Sequence, residues 1–142
     1  MSAEPPSIEA TIEWAGGGKV TVEFKGIQKI VVEEAKSEGP SALHFLLTAV
    51  AGCLSGSLLY CLSKAKTEPA SFSAKAKLTL HRPEGRLRVK EINVTLSPVF
   101  TGEIPKRAER CFEIFREYCT VTESVTKGIT VNVEVKPETK QP

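Results

Sequence analysis

The chain is poor in the residues that usually betray a ligand or partner. Aromatics make up 6% of its 142 residues, with one tryptophan, two tyrosines and two histidines. His44 and His81 stand far apart, and no two of the four cysteines lie two to four positions apart, so the spacing of a common zinc site is missing. Cysteine is too sparse for a small secreted disulfide scaffold, and no signal-peptide pattern opens the chain. Free thiols in a reducing cytoplasm are therefore expected, where a disulfide is usually transient and catalytic. A net charge of +2 gives too weak a field to single out nucleic acid or acidic lipid. The cluster Lys75, Lys77, Arg82, Arg86, Arg88 and Lys90 has few aromatics among it and reads as a solvated hairpin. No arginine precedes Arg82, and the glycine run at 16–18 lies in no GxGxxG or GK[ST] pattern.

One long apolar run is present. From Ala42 to Leu62 there is no Asp, Glu, Lys or Arg, and the apolar residues do not keep to one stripe. A helix that is apolar all round belongs in a protein core or a bilayer. Its length would suffice for a bilayer. Against a span stand His44, Thr48, Ser55, Ser57, Gly52 and Gly56, and its place mid-chain between segments of strand-like alternation. The reading is a buried central helix, with Pro40 at its first position, Lys64 and Lys66 at its end, and another element packed close over Gly52 and Gly56.

Alternation of period two marks the strands. Ile8, Ala10, Ile12 and Trp14 share a face, then Val20, Val22 and Phe24 after the triple glycine, then a third strand over Ile27–Glu33. Strands also follow the central helix over 72–80, 87–96 and, last, Ile129–Lys136. His81 falls on the polar face of its strand as a surface residue. A helix opens at Pro105, with Ala108, Cys111, Phe112, Phe115 and Tyr118 on one face. A short one runs over Thr120–Lys127 and ends at Gly128. The order β-β-β-α-β-β-α-α-β describes one α+β domain over 1–142, with an antiparallel sheet and the helices collected on one side. One such layer under-covers the central helix, which a homodimer would bury.

Of the four cysteines, Cys53 lies mid-helix and Cys119 just ahead of the short helix, where free N–H groups favour a thiolate. Cys61 and Cys111 read as small buried hydrophobes.

The stretch Gly39-Pro40-Ser41 through Gly52-Cys53 resembles the first motif of the OsmC/Ohr family of osmotically inducible and organic hydroperoxide resistance proteins. Tyr118-Cys119-Thr120-Val121 and the residues up to Val131 resemble the second. The resemblance covers nearly the whole chain, and the element order agrees with it. It implies an OsmC-like fold, an intertwined homodimer and a thiol peroxidase, with Cys53 the peroxidatic and Cys119 the resolving residue. It also implies organic hydroperoxide as substrate, an external dithiol as reductant, and no metal, flavin or other cofactor. Two departures are visible. Family peroxidases carry a glutamate nine or ten residues before the first cysteine, where this chain has His44 and Leu43, and an N-terminal arginine, for which only lysines such as Lys19 or Lys25 are at hand. At about 100° per residue, nine positions place His44 on the helical face opposite Cys53. These departures motivate a second reading: a catalytically weak or inactive member that binds a small apolar ligand in the dimer cleft.

Overall fold

The computed structural model describes residues 7–16, 19–33 and 39–141. It divides into two compact units, one of Met1–Gly52 with Phe72–Ser97 and one of Cys53–Ser71 with Pro98–Pro142.

In the first unit, β1 (Ala10–Trp14), β2 (Lys19–Phe24) and β3 (Ile27–Glu33) form an antiparallel sheet in that order. Ile12 faces Val22, and Val22 faces Ile30. The first turn hydrogen-bonds Lys19 N–H to Gly16 O at 3.1 Å, while Gly17 and Gly18 lie outside the described residues. The second needs Gly26, whose φ of 77° suits a residue without Cβ. Alternation delivers Val32 to the inside, but Ile12 and Trp14 are exposed. The strands β4 (Ser71–His81) and β5 (Arg88–Val99) form a two-stranded sheet, joined through a 3₁₀ turn at Pro83–Gly85. His81 closes β4 as an exposed residue.

The helix α1 (Ala42–Lys64) begins two residues after Pro40. Its entry is fixed by Glu33, whose N–H bonds to Pro40 O at 3.0 Å and whose carboxylate accepts the Gly39 N–H at 2.8 Å. A Cβ at Gly39 would stand 2.6 Å from the Glu33 carboxyl carbon, so a side chain there would push the carboxylate off the Gly39 N–H. Lys19 pairs with the same carboxylate at 3.5 Å. His44, at the third helical position, accepts the Ser41 N–H on Nδ1 at 3.0 Å, with the Ser41 hydroxyl 2.9 Å from that nitrogen. This is the reach-back half of a capping box, with histidine in place of glutamate. The helix ends in a Schellman motif: Thr67 N–H bonds Leu62 O at 2.9 Å and Lys66 N–H bonds Ser63 O at 3.0 Å, with Lys66 left-handed at φ 56°.

The second unit holds the rest of α1 with α2 (Lys106–Ile114), a 3₁₀ turn over Phe115–Tyr118, and α3 (Thr120–Lys127). Leu58, Leu62, Ala108, Cys111 and Cys119 are its buried apolar residues. Leu62 is wholly enclosed, and truncating such a side chain typically costs about 2–5 kcal/mol. Beyond Ile114 the tighter 3₁₀ winding breaks the 3.6-residue spacing, so Tyr118 leaves the expected buried face and is 73% exposed.

Three expectations need correction. The central helix is present but not fully buried: Val50, Leu58 and Leu62 are its only buried residues, and Tyr60 is exposed. Nothing packs within 4 Å of a Cβ built at Gly52 or Gly56. No strand forms at Ile129–Lys136: Val131, Val133 and Val135 are about four-fifths exposed, and no described strand pairs with them. Alternation selects a face, but a strand also needs an edge to bond to, and this segment has found none.

Candidate functional site

Along the second half of α1, Cys53, Gly56, Ser57, Tyr60, Cys61 and Lys64 recur at intervals of three and four and so share one helical face. With Tyr118 they line a largely apolar cavity of about 540 Å³. Gly56 thus forms part of a groove floor rather than a packing contact. Lys64 sits at the far end of the stripe, its ammonium 5.5 Å from the Tyr60 ring centre.

Cys53 is half-buried on this groove. Cys119 is 1% exposed and occupies the N-cap of α3. The two sulfurs, 66 positions apart in sequence, lie 2.6 Å from each other, so the structure brings both expected site residues together. Cys119 also lies 3.1 Å from the Thr122 hydroxyl. Burial is the largest single influence on the Cys119 thiol and raises its pKa. Hydrogen bonds to the anion from Cys53, Thr122 and Ser57 together outweigh it, leaving the pKa below the ordinary thiol value. The start of α3 acts in the same sense, because its first N–H groups carry partial positive charge.

Of the cations singled out from the sequence, Lys19 is paired with Glu33 and Lys25 lies in the β2–β3 turn. His44 closes the first turn of α1.

The other two cysteines correct the sequence reading. Cys61 and Cys111 are not inert hydrophobes; they form a disulfide, with Cα atoms 5.8 Å apart. A signal for this was present in the spacing. Cys53 and Cys61 are eight apart on one segment, and Cys111 and Cys119 are eight apart on another. Two segments running antiparallel with equal spacing can be cross-linked at both places. Neither pair looks special alone, and only the matching intervals are informative.

The fold and site define a mixed α+β protein with antiparallel sheet, whose long helix carries a cysteine against a second cysteine at a helix N-terminus. The model of the OsmC-like protein family matches residues 35–134, and the chain belongs to that family. Among solved structures it is similar to an OsmC-like protein from Mycoplasma pneumoniae, with a TM-score of 0.72 at 12% identity over 89% of this chain and 91% of that one. It is also similar to an organic hydroperoxide resistance protein from Elizabethkingia anophelis, with a TM-score of 0.64 at 18% identity over 89% and 92%. For the organic hydroperoxide resistance protein OhrB of Bacillus subtilis the TM-score is 0.62 at 14% identity over 86% and 91%. No curated protein matches the chain. Although α1 is long and apolar enough to cross a membrane, it falls within the matched family domain.

Proposed function

We propose that this protein is a cytoplasmic thiol peroxidase, a single OsmC-like domain that reduces organic hydroperoxides through Cys53 and Cys119. The observation that carries the reading is a groove-facing thiol 2.6 Å from a buried thiol that favours its anion. Cys53 passes its proton to the Cys119 sulfur as it attacks the O–O bond of the hydroperoxide. The bond breaks, Cys53 becomes a sulfenic acid, and the departing alkoxide recovers the proton from Cys119 to leave as the alcohol. The Cys119 thiolate then attacks the Cys53 sulfur, expels hydroxide and forms the disulfide. Two electrons pass from the two sulfurs to the peroxide, and an external dithiol restores them. Thr122, Ser57 and the start of α3 favour the anion on Cys119, the sulfur that takes up the Cys53 proton. The apolar groove favours a substrate with an organic body over hydrogen peroxide. The test is stopped-flow oxidation of the reduced protein with cumene hydroperoxide. One equivalent should remove the Cys53 and Cys119 thiols, and unchanged titratable thiol at modest excess would overturn the reading.

The active form in this proposal is a homodimer. Most of α1 and the alternating Ile129–Val135 segment carry apolar surface to water, which a second copy would cover. Introducing charge into that surface, with Val131→Asp and Val133→Asp together, should convert a dimer to a monomer by light scattering. A monomeric parent protein would remove this part of the proposal.

A further inference from the structure

The Cys61–Cys111 disulfide is asymmetric in its surroundings. Cys61 lines the groove, whereas Cys111 is 2% exposed on the inner face of α2. A small thiolate entering the groove can therefore reach one sulfur of the bond and not the other. Lys64, one turn beyond Cys61, places a positive charge at the same wall, which attracts an incoming thiolate. The bond also ties α2 to α1 eight residues ahead of Cys119.

We propose that Cys61–Cys111 is a second redox site, opened from the groove by a small dithiol that attacks Cys61, and that the closed bond holds the segment leading to Cys119. In the first step a dithiol thiolate bonds to Cys61 Sγ, the Cys61–Cys111 bond breaks, and Cys111 departs as a thiolate that takes up a proton. The second thiol of the reagent then attacks its own sulfur in the mixed disulfide, leaving as a cyclic disulfide and releasing Cys61. The protein gains two electrons and two protons, and the reagent loses them. The pair does not exchange directly with Cys53. Eight residues of helix hold Cys53 and Cys61 about 12 Å apart along α1, well beyond the separation of about 4.4–6.8 Å that a disulfide spans. It answers to the dithiol pool independently of any chemistry at Cys53.

The test uses the full chain with Cys53→Ser and Cys119→Ser, which leaves only this pair and removes any peroxidase step. Dithiothreitol should expose two alkylatable thiols while the circular dichroism of the folded protein persists, and glutathione disulfide should restore the bond. Hydrogen exchange over residues 106–118 should rise on reduction. In the same background, Cys111→Ser should leave a Cys61 that takes one glutathione at least about tenfold faster than Cys111 does in the Cys61→Ser counterpart, as the difference in access requires. A bond that yields only after denaturation, equal reactivity of the two cysteines, or unchanged exchange over 106–118 would each overturn the proposal. Because no hydroperoxide is used, these results are separate from those that test the peroxidase.

Discussion

Cys53→Ser should abolish oxidation by organic hydroperoxide, lowering the rate of thiol loss by at least about a thousandfold, since with Cys61 held in its disulfide no other groove thiol stands beside a resolving partner. Cys119→Ser should behave differently. Loss of the proton acceptor slows the attack by about a hundredfold, in the range of general-base effects. The reaction then stops at the sulfenic acid, because the sulfur that closes the disulfide is gone. Trapping with dimedone should label Cys53 in Cys119→Ser and neither cysteine in the fully turned-over parent. Intact-mass measurement after a single-turnover reaction distinguishes the outcomes. Undiminished hydroperoxide consumption by Cys53→Ser would place the chemistry elsewhere.

The second large effect concerns Thr122. Its side chain is buried at 7% exposure and its hydroxyl stands 3.1 Å from the Cys119 sulfur. Thr122→Val keeps the shape and deletes the donor. A hydrogen bond to a charged group contributes about 1.5–3 kcal/mol, so its loss should raise the Cys119 thiol pKa and reduce the thiolate wherever the parent thiol is not already fully ionised. The Cys53 sulfenic acid should then resolve more slowly, by as much as about tenfold or more on the acid side of that titration. At alkaline pH the thiolate forms without the hydroxyl and the two rates should converge. The stability of the reduced protein follows the same group. Its folded-state pKa lies below the unfolded one, so the ionised thiol stabilises the fold fully above the unfolded-state value. That contribution is lost as pH falls through the lowered folded-state value. Urea midpoints measured across this window should rise with pH in the parent protein and rise less in Thr122→Val. Parallel profiles for both proteins would show that Thr122 does not act on the Cys119 charge.

Much of the architecture was legible before any coordinates. The strand at Lys19–Phe24 follows from alternation, and the end of α3 follows from Gly128 after it. These are local patterns, set by side-chain period and backbone preference. The site was legible as two separate cysteines in two motifs. Their partners were less so: Ser57 and Thr122 are ordinary residues until the chain brings them to one sulfur, and Tyr118 reaches the groove only because the helix tightens before it. Burial is the least legible property. A uniformly apolar helix and an alternating terminal segment both signal a core, yet composition does not say whether the covering surface comes from the same chain.

The sequence by itself determined most of the element types, the family and the two cysteines of the candidate site, because periodicity and motif are properties of neighbouring residues. Only the tertiary structure decided which sulfur meets which. It joined Cys61 to Cys111, set Cys53 against Cys119, gave one member of each pair to the groove and buried the other. The reason is geometric: a sulfur's access and charge depend on atoms from segments fifty or more positions away, and no local pattern records where those segments come to lie.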